Sequence, residues 1–373
     1  MKPLLVDLET AWRGGQNQAF LILKGLRERG HRPELVTAQG SELGARAASV
    51  GVPVRYVRRG WLQFPAAFAV RERLESEGLD LVHANEAHAL SAAWLARAHR
   101  RVPLITSRRV GYPIGKSRLA RSRYEAAARI VANSQWVADQ AAGSGAPKEK
   151  LTVVFEGAEI PRPLTPEERL RARHRWRQPE GAPLLGCVGV LSPDKGQERL
   201  IRAVAEVSKR FPALRLLLAG DGPCRTELET LAHSLGVHDR VVFAGFVEDV
   251  ESVYAALDVF LLPSLFEALN NSLLAAMAYQ IPSIAFRRGA LPEIIEDGAS
   301  GLLVEAADAA ELSGAIRRLL EDVGLRKSLG ENGRRRIETT FSADRMVEGM
   351  IRVYQESLSR EARTVSRPIG AAL

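Results

Sequence analysis

Short apolar runs alternate with stretches of helical period along almost the whole chain. Runs at 4–8, 34–37, 54–57, 79–83, 104–106, 130–133 and 151–155 read as strands. Between several of them lie helical periods, such as 16–29, stopped by Gly30, and 87–100. This alternation predicts a parallel sheet with helices on both faces. The segment Pro161-Arg162-Pro163-Leu164-Thr165-Pro166 interrupts the rhythm and reads as a linker. A second series follows, with strands at 184–190, 214–219, 241–243, 259–262 and 283–286 and helices at 197–210, 225–235, 250–257 and 271–279. The pattern therefore predicts an α/β chain with a first doubly wound domain over 1–165 and a second over 166–342. Over 343–358, Met346, Met350, Val353, Tyr354 and Leu358 form an apolar stripe that predicts a final helix, and a loose tail follows from 364.

Composition narrows the class. At 373 residues, 46% hydrophobic and 26% charged, the chain is that of a globular protein with room for two full cores. It carries no apolar run near the roughly 20 residues of a spanning helix. The start, Met1-Lys2-Pro3-Leu4-Leu5-Val6-Asp7, is too short in apolar residues for a signal peptide, so a cytoplasmic location is expected. Cys187 and Cys224 offer neither a disulfide framework nor metal spacing and read as reduced thiols. The net charge of +8 is uneven, with +10 over 1–165 and −2 over the remainder. Within 97–129, Arg97, Arg100, Arg101, Arg108, Arg109, Lys116, Arg118, Arg121, Arg123 and Arg129 face only Glu125. A solvated face and an anion-binding face both fit this cluster. With no nucleic-acid module around it, an anionic membrane surface or a phosphorylated acceptor is the expected partner, and nucleic acid is not.

The most telling stretch is Pro263-Ser264-Leu265-Phe266-Glu267-Ala268-Leu269-Asn270-Asn271-Ser272-Leu273-Leu274-Ala275. An apolar strand runs into a short loop holding one carboxylate, and a helix then opens with two Asn and a Ser. Unpaired N–H groups and the positive end of the dipole at such an opening suit a pyrophosphate. Glu267 is placed to hydrogen-bond the hydroxyls of whatever that phosphate carries. The stretch resembles the nucleotide-sugar motif of family 4 glycosyltransferases of the GT-B fold: Pro-Ser, two residues, Glu-Gly-aromatic-Gly, and a second Glu eight positions after the first. Here Ala268 and Asn270 stand at the glycine positions and Ala275 at the second Glu. Further matches are Gly189-Val190-Leu191 leading to Lys195-Gly196, Leu218-Ala219-Gly220-Asp221-Gly222-Pro223, Val242-Phe243-Ala244-Gly245-Phe246-Val247, and 291–304. The first domain matches less closely, although its Gly14-Gly15 pair follows strand one as the family's Gly-Gly loop does.

The resemblance implies two doubly wound Rossmann-like domains facing a central cleft, with the last helix bracing the first domain. It also implies a retaining transfer of sugar from a nucleotide-diphosphate donor, with no metal and no separate cofactor. Glu267 would hold the donor sugar and Lys195 the leaving pyrophosphate. Gly14, Gly15, Asn270, Asn271, Ser272 and Leu273 would line the donor phosphates, and Phe246 and Val247 the base. Two losses accompany the match: Ala275 removes the ribose-binding carboxylate, and Val190 replaces a phosphate-binding Arg. Arg13 is one candidate replacement cation. At Thr106-Ser107-Arg108-Arg109, many relatives carry a His facing the reacting sugar. Arg108 and Arg109, with Arg118 and Arg121, are expected to bind a phosphate or carboxylate on the acceptor. His83 and His88 are expected to pack or cap, since no third ligand is in spacing. The arrangement is similar to that of bacterial lipopolysaccharide-core and capsule enzymes, which implies a membrane-associated glycan or lipid acceptor at the inner face of the cytoplasmic membrane. Two rivals are a degenerate GT-B protein that binds without turnover and a sugar-nucleotide epimerase.

Overall fold

The structure is a computed structural model that describes the chain except residues 59, 61, 62, 77, 116, 180, 306–308 and 366–373. Lys116 of the basic cluster therefore lies outside the described residues. The chain divides into two compact units, Met1–Gly157 with Ala343–Leu373, and Ala158–Ser342.

The first unit runs β1 (Pro3–Asp7), α1 (Gly14–Glu28), β2 (Glu34–Ala38), α2 (Glu42–Ser49), β3 (Val54–Val57), α3 (Phe64–Glu75), β4 (Leu81–Ala84), α4 (Ala87–Leu95), β5 (Leu104–Arg108), α5 (Arg118–Ala126), β6 (Arg129–Ala132), α6 (Gln135–Gly143) and β7 (Leu151–Val153). Its seven strands form one sheet in the order β3-β2-β1-β4-β5-β6-β7, and every pairing is parallel. β1, β4 and β5 are buried along their whole length, with no alternation of buried and exposed positions, and they carry the buried polar residues Asp7, His83, Thr106, Ser107 and Arg108. The helix expected over 87–100 stops at Leu95. Arg97 adopts φ 57, and a single 3-10 turn covers Ala98–Arg100.

The second unit runs α7 (Pro166–Arg175), β8 (Leu184–Val188), α8 (Gln197–Val207), β9 (Arg215–Ala219), α9 (Arg225–Ser234), β10 (Val241–Gly245), α10 (Glu251–Ala256), β11 (Val259–Leu262), α11 (Asn271–Ala278), β12 (Ser283–Phe286), α12 (Leu291–Ile294), β13 (Leu302–Val304), α13 (Ala309–Glu321) and α14 (Val323–Thr340). Its six parallel strands are ordered β10-β9-β8-β11-β12-β13. Leu185, Leu216, Leu218, Leu261 and Ile284 from the strands meet Leu200, Val204 and Ile316 from the helices in one core.

The final helix α15 (Ala343–Val365) belongs to the first unit. Gly25 of α1 makes this packing possible: a Cβ there would lie 2.5 Å from Cγ2 of Val347. Tyr354 is fully buried, and its hydroxyl meets Nδ1 of His83 at 2.7 Å. The division at Gly157/Ala158 falls ahead of the expected 165. The proline segment is held within the second unit, where Ala158 N–H donates to the carbonyl of Phe341 and Arg334 donates to that of Pro161.

Candidate functional site

In the second sheet the strand order reverses between β8 and β11. Ligands of open parallel sheets bind beyond the carboxyl ends of the strands at such a reversal. The loops leaving these two strands carry Lys195 and Glu267. The structure joins them: Lys195 Nζ lies 2.6 Å from Glu267 Oε1. The Glu267 side chain is 7% exposed and that of Lys195 25%.

Glycines let the loops approach this closely. Leu265 N–H donates to the carbonyl of Asp194 at 2.8 Å. Gly196, at φ +69, would place a Cβ 2.3 Å from the carbonyl oxygen of Pro263. Gly289 stands at φ +55, where a Cβ would lie 2.0 Å from the Glu267 carbonyl oxygen, and Ala290 N–H donates to that same oxygen. A side chain at either glycine would force the carboxylate loop to move.

Asn270 replaces a family glycine without strain. Its backbone is extended, φ −123 and ψ 111, so no left-handed conformation is needed there. It is the N-cap of α11, with Oδ1 accepting Leu273 N–H at 2.8 Å, while its Nδ2 donates to Glu267 Oε1 at 3.0 Å. The Leu273 amide is thus taken up by the cap, and the Leu273 side chain is buried. Asn271 and Ser272, half-buried, form the first turn. Burial pushes up the pKa of the Tyr254 hydroxyl, and Ser272 opposes that shift. Ala275 lies half-buried one turn further along the helix.

The other expected residues of this unit lie on the same carboxyl rim. Phe246 is 83% exposed just after β10, and Val247 beside it is half-buried. Val190, where a phosphate-binding Arg is expected, is 56% exposed, and its carbonyl accepts from Gln197. Burial pushes the Cys187 thiol up to about 12, which leaves it an inert core residue.

In the first unit the order reverses between β1 and β4. Gly14 and Gly15 open α1 there, and Arg13 is exposed at its N-cap. Gly15 is held from behind, its carbonyl accepting from Asn85, and a Cβ on it would touch Arg109 Cδ at 3.9 Å. Arg109 pairs with Glu156 at 2.9 Å and donates to both the carbonyl and the Oδ1 of Asn85. Arg108 is buried, donating to the Tyr124 hydroxyl at 3.0 Å and to the carbonyl of Tyr112. These two arginines therefore shape the strand ends through internal contacts, whereas Arg118 and Arg121 on α5 are exposed.

Sequence spacing did not reveal the group formed by Glu9, Glu86 and His88. These residues bring one ligating atom each within 4.8 Å of one another, because β1 and β4 pair side by side. Glu86 is the N-cap of α4, accepting from the N–H groups of His88, Ala89 and Leu8. Burial, reinforced by the nearby Asp7 charge, pushes its carboxyl up to about 7. His83 is fully buried between Tyr354 and Ser107, and burial brings it down to about 3, so it stays neutral as a packing residue.

Comparison with known proteins follows these two units. Residues 12–161 match the family model described as Glycosyltransferase Family 4, and residues 168–336 match Glycosyl transferases group 1. The chain is 31% identical over 402 residues to a D-inositol 3-phosphate glycosyltransferase of Geodermatophilus obscurus, covering 96% of this chain and 88% of that protein. It is 32% identical over 224 residues to the putative glycosyltransferase EpsD of Bacillus subtilis, covering 60% of this chain but only 58% of EpsD. The structure of Anabaena HepE in complex with UDP-glucose superposes with a TM-score of 0.80 at 23% identity, covering 96% of this chain and all of that one. The chain belongs to the family 4 glycosyltransferases and has their GT-B fold.

Proposed function

We propose that this glycosyltransferase moves a sugar, with retention, from a nucleoside-diphosphate sugar to a membrane-associated glycan or lipid acceptor, such as a lipopolysaccharide core. The observation that carries the donor assignment is the Lys195–Glu267 pair at the β8/β11 reversal, beside the capped N-terminus of α11. In this reading Lys195 and the first turn of α11 stabilise charge on the leaving diphosphate, and Glu267 accepts from the sugar hydroxyls. The acceptor hydroxyl attacks from the face the diphosphate leaves. That diphosphate takes the hydroxyl proton, so positioning and charge stabilisation supply the catalysis. HepE, whose structure holds UDP-glucose, has the same fold and supports the donor class.

The acceptor assignment rests on the first unit. Arg97, Arg100, Arg101, Arg118 and Arg121 are exposed, as are Phe64 and Phe68 on α3 and Leu119 on α5. Exposed cations and apolar side chains together suit an anionic lipid surface. No helix among the described residues is long and apolar enough to cross a membrane.

The test is release of nucleoside diphosphate from a panel of nucleotide-sugars in the presence of anionic membrane glycolipids, with the product's anomeric configuration read by NMR. Retained configuration and loss of release in K195A are expected; inverted product refutes the mechanism. Replacing the exposed Arg97, Arg100, Arg101, Arg118 and Arg121 together by Gln should weaken sedimentation with anionic vesicles, and unchanged sedimentation with an intact fold refutes the membrane assignment. A second reading, binding without turnover, is favoured by Ala275 and the exposed Val190. It is upheld if no nucleotide-sugar is consumed.

A further inference from the structure

The Glu267 carboxylate is held from one side only. Both of its donors, Lys195 Nζ at 2.6 Å and Asn270 Nδ2 at 3.0 Å, reach the same oxygen, Oε1. Among the described residues Oε2 accepts no hydrogen bond, and the carboxylate sits 7% exposed at the rim of the sheet. Lys195 and Glu267 therefore neutralise each other while no ligand is present. A diphosphate arriving beside Lys195 competes for its ammonium with two or more negative charges against one. Once the lysine turns to the phosphate, a single donor is left on Oε1, the Asn270 amide. That amide has no freedom to follow, because its other end, Oδ1, is fixed by Leu273 N–H at 2.8 Å as the cap of α11.

We propose that Asn270 is the positioning residue that keeps Glu267 aimed at the donor sugar after Lys195 has been claimed by the diphosphate. The inference rests on the donor-site reading given above. Its physical content is a rigid bridge: one side chain ties the helix end that faces the phosphate to the carboxylate that faces the sugar. A glycine at this position, as the family pattern has, supplies neither bond. Asn270 thus couples phosphate recognition to sugar recognition in a way the general motif does not.

The bridge has two separable halves. Asn270→Ser keeps a cap acceptor for Leu273 N–H, but its hydroxyl is too short to reach Glu267. Asn270→Ala removes both bonds. The experiment is calorimetric titration of the full chain with UDP, GDP, ADP and TDP and with UDP-glucose, GDP-mannose, ADP-glucose and TDP-glucose. It uses the wild type, N270S, N270A, E267A and the double variant N270S/E267A. The quantity read is the ratio of sugar-nucleotide affinity to bare-diphosphate affinity. N270S is expected to bind the diphosphate as the wild type does and to lose about tenfold in the ratio, the loss typical of one hydrogen bond to a charged group. N270A should weaken both ligands. In the E267A background, N270S should leave the ratio unchanged, since the carboxylate it orients is gone. A purely capping residue would instead lower diphosphate and sugar-nucleotide affinity together in N270A and leave the ratio untouched in N270S; that result overturns the inference and spares the donor-site reading. A wild type that binds none of the eight ligands overturns both.

Discussion

Replacing Lys195 by Met strands a carboxylate. At 2.6 Å and an effective dielectric constant of about 20, the Lys195–Glu267 charges attract by roughly 6 kcal/mol before desolvation is set against it. Removing one partner of a buried pair usually costs about 3–5 kcal/mol, because the other is left uncompensated. Lys195 keeps a quarter of its side chain in solvent and Asn270 still donates to Glu267, so the lower end applies, about 3 kcal/mol. For a unit of this size that corresponds to a fall in Tm of roughly 6–12 °C. K195M/E267Q removes the stranded charge along with the cation, and most of the lost stability should return. The assay is thermal and urea unfolding of the ligand-free chain for the wild type, both single variants and the double variant. Strong coupling between the two sites is expected. Strict additivity, with the double variant at the sum of the singles, would mean that the pair contributes nothing in the free protein and would refute the reasoning.

Gly289→Ala should be among the most damaging single changes near the site, since the new Cβ meets the Glu267 carbonyl at 2.0 Å in a left-handed backbone; a loss of about 2 kcal/mol or more is expected in urea melts, together with loss of sugar-nucleotide binding. Glu86 predicts a pH effect: its carboxyl titrates near 7 in the folded chain against 4.5 ordinarily, so the stability it contributes is full below pH 4.5 and is lost as pH rises through 7. Wild type should therefore lose about 3 kcal/mol across that window relative to E86Q, and parallel urea midpoints for the two proteins at pH 5 and pH 8 would count against it. Tyr354→Phe leaves buried His83 with one hydrogen bond fewer and should cost about 1–3 kcal/mol in the same melts; an unchanged midpoint would show that the contact contributes nothing.

Much of this architecture is legible in the chain itself. The central strands open on apolar residues and are buried throughout, as strands covered on both faces are, and their spacing separates the two sheets. The strand at 259–262 and the helix opening after Asn270 coincide with the structure because a cap residue, a short loop and a periodic helix all agree there. The helix end at Leu95 was not legible, because a left-handed arginine at 97 carries no compositional mark. Nor was the engagement of Arg108 and Arg109. Charge counting sees two cations at a strand end, and only folding brings Glu156 and Asn85 to one and Tyr124 to the other. Glu9 and Glu86 meet for the same reason, being far apart in sequence and adjacent only through the β1–β4 pairing. Asn270 stands at a glycine position of the family pattern. Its extended backbone and two hydrogen bonds show a residue with work of its own.

The most direct measurement is calorimetric titration of the purified protein with nucleoside diphosphates and their sugars, with K195A and E267A alongside. One base should bind, its sugar-nucleotide more tightly than its diphosphate; K195A should weaken both, and E267A should remove the increment due to the sugar. Absence of binding by every diphosphate and every sugar-nucleotide would contradict a working donor site at the β8/β11 reversal.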